Sequence, residues 1–195
     1  MAEHTSPKGR PEGEFAQKRV SAEGSPVTVR ALSIAAGQPQ DAAALAAMIR
    51  ALAEYEHLAH VCVSTEDDLR TAIWGPDPAA EVLIARLDDM PVGFALFFHT
   101  FSTFLARRGL WLEDLFVVPE YRGAGIGKAL LRAVAAIARD RACGRFEWSV
   151  LDWNAPAIRF YESLGATVMP DWRIARVAGP AMETLALATK TDRSE

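Results

Sequence analysis

Arg122-Gly123-Ala124-Gly125-Ile126-Gly127-Lys128 lies between a strand-like apolar run, Leu110 to Val118, and an amphipathic run, Ile126 to Arg141. Glycines in such a turn bare their backbone N–H groups, and the positive end of the following helix adds to them, so the turn forms a nest for a phosphate or pyrophosphate. The spacing is neither the G-x-G-x-x-G of dinucleotide turns nor the G-x-x-x-x-G-K-[ST] of the P-loop, because the glycines fall at every second residue and Ala129 follows Lys128. The expected ligand is a phosphorylated cofactor of another kind.

A second constellation is Asn154-x-x-Ala157-x-x-x-Tyr161-x-x-x-Gly165, in which Asn154 and Tyr161 share one side of a helix. A tyrosine of ordinary pKa, about 10, is protonated at neutral pH and can give its proton to a departing thiolate of pKa about 8.5. Packing of the ring beside Phe160 is the structural alternative. Glu113-Asp114 interrupts an apolar strand, which is costly for a carboxylate unless something binds or hydrates it. Neighbouring strand residues face opposite sides, so Glu113 is assigned to a cleft and Asp114 to the far side of the sheet. An alkyl ammonium of pKa near 10.4 must lose a proton before its nitrogen can attack. Glu113 could attract that cation and relay its proton directly or through water, and two exposed edge carboxylates are the alternative. Glu54-Tyr55-Glu56 sets acids at a helix end, against the dipole, which points to a cation partner unless that end is simply solvated. His57 and His60 lack the companions of a zinc site, and His99 reads as a packed strand residue. With no Gly-x-Ser-x-Gly elbow or Cys-His pair for a covalent intermediate, direct transfer is expected.

The elements that must position these groups follow from periodicity. Val27 to Ile34 reads as a strand, Asp41 caps a helix ending near His57, and Ser64 with Asp67 opens a second helix running to Gly75. Val82 to Leu87 and Val92 to Phe101 flank a turn at Asp88-Asp89-Met90-Pro91, giving a hairpin. After the Leu110 strand and the glycine turn, Ile126, Leu130, Val134 and Ile137 form a helical stripe. Phe146 to Leu151 is the next strand, Asn154 caps a helix with Pro156 in its first turn, and Gly165 stops it. Trp172 to Val177 and Met182 to Ala188 are expected as a closing strand pair. The order predicts an α/β fold with a mixed, mostly antiparallel central sheet flanked by helices.

A chain of 195 residues with 50% apolar and 24% charged residues can bury one sizeable core, expected over 26–195. Residues 1–25 mix prolines, glycines and charges without an apolar period and are expected to be a disordered extension. Its Glu3, Glu12, Glu14 and Glu23 argue against a transit peptide. A net charge of −4 lacks the basic excess of a nucleic-acid binder. Two cysteines without a secretory leader point to a cytoplasmic protein rather than a disulfide scaffold, and no apolar stretch reaches the roughly 18 residues of a membrane span.

The R-x-x-G-x-G run from Arg122 to Gly127 resembles the pyrophosphate signature of the GNAT superfamily of acetyl-CoA-dependent N-acetyltransferases. Glu54-Tyr55-Glu56-His57-Leu58, Leu112-Glu113-Asp114-Leu115-Phe116-Val117, Tyr121-Arg122-Gly123, and Trp153-Asn154 through Phe160-Tyr161 resemble its diamine (spermidine/spermine) N-acetyltransferase branch, over about Val27 to Val177. The resemblance implies that backbone at Leu115, Phe116 and Val117 takes the acetyl-pantetheine arm. It also implies that Arg122, Gly123, Ala124, Gly125, Ile126, Gly127 and Lys128 take the pyrophosphate of acetyl-CoA, with Asn154 and Ala157 completing that site. Tyr161 matches the general acid, while Tyr55, Glu56 and Glu113 match positions that contact the acceptor or orient a catalytic water. A homodimer whose partner helps line each acceptor site is implied as well. One departure is the short segment Met169-Pro170-Asp171-Trp172, which leaves open whether Asp171 replaces an acid of the family's acceptor site. Polyamines and lysine-like amines such as thialysine both satisfy Glu56 and Glu113. The competing readings are a non-catalytic acyl-CoA-binding regulatory module and a phosphate-binding protein unrelated to CoA.

Overall fold

Runs rich in β-branched and aromatic residues alternate with runs whose apolar side chains return every three or four positions, and the computed structural model, which describes residues 30–187, folds them as strands and helices. The expected disordered extension and the start of the first strand lie outside the described residues. The described residues fall into two compact units, divided between Ser149 and Val150.

The first unit contains β1 (Leu32–Ala36), α1 (Ala42–Tyr55), α2 (Glu66–Trp74), β2 (Glu81–Leu87), β3 (Met90–Ser102), β4 (Arg107–Val117), α3 (Ile126–Asp140) and β5 (Phe146–Trp148). The strands form one sheet in the order β1-β2-β3-β4-β5; the first three pairings are antiparallel, and β5 runs parallel to β4. This mixed, mostly antiparallel sheet with flanking helices is the expected architecture. On one face, Val82, Ile84, Phe94, Leu96 and Phe116 pack with Leu45 and Met48 of α1 and Ile73 of α2. On the other face lies α3, whose Leu130 approaches Gly93 so closely that a Cβ there would sit 3.4 Å from Leu130 Cδ1. Leu130 and Val134 are fully buried along the stripe, each contributing about 1.5–3 kcal/mol of apolar burial.

Local chemistry moves several boundaries. Thr65 and Asp68, rather than Ser64 and Asp67, form the capping box of α2. Asp41 occupies the N-cap position of α1 but does not cap it; its carboxylate accepts from the Gln38 N–H at 2.7 Å and pairs with Arg86 on β2. The β2–β3 turn shortens to Asp88-Asp89, both at positive φ (49° and 68°), the condition of a type I′ turn that matches strand twist. His99 bridges Gly109 O through Nδ1 and Arg141 through Nε2, so it is a packed strand residue.

The second unit carries α4 (Ala155–Glu162) and α5 (Pro180–Leu187). The closing strand pair does not form: Trp172 to Val177 has no regular structure, and Met182 onward lies in α5, Ala188 being outside the described residues. Pro180 at the first helical position, followed by Ala181, Met182, Glu183 and Leu185, supplies a helix start and good helix formers that outweigh the apolar run read as a strand. Among the described residues no helix is long and apolar enough to cross a membrane.

Candidate active site

The last turn of α1 sets one wall. Leu58 N donates to Ala53 O at 2.7 Å and His57 N to Glu54 O at 3.1 Å, with His57 at φ 61°. This Schellman arrangement satisfies the final carbonyls and folds the chain back. It leaves Glu56 at the helix end, facing a cleft of about 390 Å³ lined by Ile49, Leu52, Ala53, Glu56, Leu58, Val61, Cys62, Val63, Ser64, Glu113 and Asp114. The walls are largely apolar, and among the described residues the charged lining groups are three carboxylates, with no Lys, Arg or His.

Two of those acids come from β4. Leu112 pairs with Phe97 and Asp114 with Leu96, so Glu113 is an extra residue in the ladder, a β-bulge. The expectation that strand alternation sends Asp114 to the far side is therefore overturned. Asp114 pairs with Leu96 on the face packed by α1 and α2, and both carboxylates line the same cleft. Glu113 Oε2 accepts from the indole N–H of Trp111 at 2.9 Å. Asp114 is the less exposed of the two; burial first, then the charges of Glu113 and Glu56, push its pKa up to about 6. Burial also raises the pKa of Glu56.

Beyond the bulge, β5 pairs with β4 only across Leu110, Trp111 and Leu112. Leu115, Phe116 and Val117 thus present an edge that β5 does not cover. The glycine turn follows. Gly123 and Gly125 adopt φ 78° and 84°, the left-handed region that favours glycine. A side chain at Gly123 would project into open space. The first intrahelical bond of α3 runs from Ala129 N to Gly125 O at 3.0 Å, which leaves the N–H groups of Ile126, Gly127 and Lys128 without helical acceptors. Bare amides, left-handed glycines and the helix dipole together fit a diphosphate. Arg122 heads the turn: its Nε donates to Val117 O at 3.0 Å, and its guanidinium lies over the rings of Tyr55 (4.8 Å) and Phe116 (5.6 Å).

The first unit thus gathers Tyr55, Glu56, Glu113, Leu115 to Val117 and Arg122 to Lys128 along α1, β4 and the α3 entrance. Asn154, Ala157 and Tyr161 belong to the second unit. There the Asn154 side chain accepts from Ala157 N at 3.2 Å, Gly165 ends α4 at φ 91°, and the Tyr161 ring lies 5.3 Å from that of Phe160. Asp171 is exposed between α4 and α5. Sequence reasoning missed Cys62, Val61 and Val63 of the cleft, which sit in a connection without periodicity. The inward turn of Asp114 also carried no signal in the hydrophobic pattern.

Comparison with known proteins gives the same architecture and chemistry. Residues 45–166 match the model of the Acetyltransferase (GNAT) family. The thialysine N-epsilon-acetyltransferase of Sus scrofa is 39% identical over 150 residues, covering 71% of this chain and 88% of that protein. The L-ornithine N5-acetyltransferase NATA1 of Arabidopsis thaliana is 32% identical over 192 residues, covering 75% and 84%. Among solved structures, the integron cassette protein VCH_CASS6 from the mobile metagenome of V. cholerae superposes with a TM-score of 0.68 at 26% identity, over 80% of this chain and 97% of that one. An exposed glycine nest at a helix start, a strand edge leading into it that β5 leaves unpaired and a family match that spans both features converge: the chain belongs to the GNAT acetyltransferase family, acyltransferases that take their acetyl group from acetyl-CoA.

Proposed function

We propose that this N-acetyltransferase moves acetyl from acetyl-CoA to a primary amine of a small cationic acceptor, a polyamine or a lysine-like amine such as thialysine, by direct attack. The observation that carries this reading is the cleft itself: apolar walls with Glu56, Glu113 and Asp114 and, among the described residues, no basic lining residue, which suits an alkyl ammonium. The relatives named for thialysine and L-ornithine acetylation support an acceptor of this kind.

In this reading the backbone of Leu115, Phe116 and Val117 holds the pantetheine arm, and Arg122 with the Gly123–Lys128 turn holds the pyrophosphate. Asn154 and Ala157 complete the donor site. Tyr55, Glu56 and Glu113 hold the acceptor. The neutral amine attacks the thioester carbonyl, a C–N bond forms as the C–S bond breaks, and the Tyr161 hydroxyl protonates the leaving thiolate. The proton still carried by the new amide nitrogen restores the Tyr161 hydroxyl. The reading includes a cytoplasmic homodimer; the two free cysteines and the exposed apolar side chains of the second unit, Met169, Trp172 and Ile174 among them, support it. Sedimentation of the purified enzyme at the mass of a single chain would remove the dimer from the reading.

An amine panel with acetyl-CoA, followed by thiol release, tests the activity. Wild-type enzyme releases thiol with at least one diamine, polyamine or lysine-like amine. Tyr161→Phe lowers kcat by roughly 10²-fold, the scale of a lost general acid, and Glu113→Gln raises the amine KM. CoA binding without thiol release from any amine would establish the binding-module reading instead. Thermal protection by simple nucleotides and not by CoA would point to the unrelated phosphate-binding protein.

A further inference from the structure

On the transferase reading above, we propose that Arg122 positions the acceptor as well as the donor: its guanidinium, seated on Tyr55, ties the glycine turn to the last turn of α1, so that coenzyme A and the amine tighten each other's binding. Three contacts hold that side chain. Its Nε donates to Val117 O at 3.0 Å, and its guanidinium carbon lies 4.8 Å from the centre of the Tyr55 ring and 5.6 Å from that of Phe116. A guanidinium is planar and weakly hydrated, so it keeps to an aromatic face where an ammonium would return to water. The partners come from different parts of the site. Phe116 and Val117 end the strand edge assigned to the pantetheine arm, whereas Tyr55 is the last residue of α1, next to Glu56 of the cleft wall. Phe116 is buried and Tyr55 is 39% exposed, so the stack has a core ring on one side and a surface ring on the other.

The Nη groups remain for a ligand: among the described residues they donate to no protein acceptor. Held by Nε and by two ring faces, the guanidinium loses little freedom when a diphosphate engages them, and this preorganisation strengthens donor binding. The effect runs both ways. A diphosphate that fixes the guanidinium favours the conformation in which Tyr55 lies against it. The turn after Tyr55 carries this to the cleft, because Leu58 N donates to Ala53 O at 2.7 Å and His57 N to Glu54 O at 3.1 Å, with Glu56 between them. The two states are Arg122 stacked on Tyr55 and Arg122 released to water, and both ligands favour the first. Linkage then makes the two effects equal. A partly exposed cation–π contact corresponds to a change of about two- to five-fold in an equilibrium constant, which sets the size of the coupling.

The test is calorimetric titration of CoA with and without an amine that the wild-type enzyme acetylates, and of that amine with and without CoA, which carries no acetyl group to transfer. Wild-type protein should show one factor in both directions, at least about two-fold. CoA affinity is the informative readout, because Tyr55 has no place in the donor site. Tyr55→Leu should weaken CoA and lower the coupling, each by about two- to five-fold, and Tyr55→Phe, which keeps the ring, should restore both. Arg122→Lys keeps the charge without the planar face, and in that background Tyr55→Leu should leave CoA affinity unmoved. Wild-type coupling in Tyr55→Leu, or effects of the two substitutions on CoA affinity that simply multiply, would overturn the proposal. If Tyr55→Leu does not fold, wild-type coupling in Arg122→Lys overturns it independently. A wild-type enzyme that releases thiol with an amine yet shows no coupling overturns this proposal alone, whereas one that releases none from any amine overturns the transferase reading.

Discussion

At the scale of single residues, Asp114 gives the folded chain a stability that depends on pH. Its pKa rises from the usual 3.8 to about 6 in the folded chain, so the folded state binds its proton more tightly than the unfolded one. The stabilisation that follows is fully present below about 3.8 and is lost as pH rises through about 6. The protein lacking ligand should therefore gain stability from this group as pH falls from 7 towards 4, on the order of 2–3 kcal/mol. Urea denaturation of wild type and Asp114→Asn across that range measures it: the stability difference between the two should change with pH. Equal pH slopes would show that Asp114 does not titrate abnormally. Burial is the first cause, and the charges of Glu113 and Glu56 add to it. Arg122 shows a related economy, since one guanidinium holds the end of β4 through Val117 O and stacks on Tyr55 of α1.

At the scale of elements, the glycines of the α3 entrance are not interchangeable. Gly125→Ala forces a side chain into φ 84° and should cost about 1–2 kcal/mol. Gly127 is already helical, and a Cβ there meets Val117 Cγ2 at an ordinary 3.7 Å. Gly127→Ala should leave stability unchanged or raise it by up to about 1 kcal/mol. Thermal unfolding of the two variants checks the contrast, and equal losses would place strain at both positions. This turn was legible in the sequence because glycine spacing, the preceding strand and the helical stripe all act locally. The same holds for Asn154 and Gly165 at the ends of α4, where cap chemistry is written in a few neighbouring residues. The bulge at Glu113 was not legible: an inserted residue shows only when two strands are laid side by side, and the break that Glu113-Asp114 makes in the apolar pattern of β4 does not by itself reveal an extra residue. The last two expected strands failed for another reason. Apolar runs near Trp172 and Met182 carry no periodicity that separates a strand from a short helix, and Pro180 decided the second.

At the scale of the whole molecule, one buried ion pair ties the layers of the first unit. Asp41 is 7% exposed, sits where α1 begins, and pairs with Arg86 of β2. Removing one partner strands a charge in a low-dielectric site, so Asp41→Ala should cost about 3 kcal/mol. An Asp41→Leu, Arg86→Met pair should regain most of that loss, because well-packed apolar side chains replace buried ions at little cost. Chemical denaturation distinguishes these outcomes, and a single variant within about 0.5 kcal/mol of wild type, the range of ordinary surface changes, would mean that water reaches the pair. The sheet that this pair anchors has one irregular count in β4. Glu113 is an insertion rather than a substitution: with it excised, Leu112–Phe97 and Asp114–Leu96 would become successive rungs of an unbroken ladder, every neighbour keeping its present side. The strand would then surrender one acid and retain the other, so chain length alone can separate the two carboxylates.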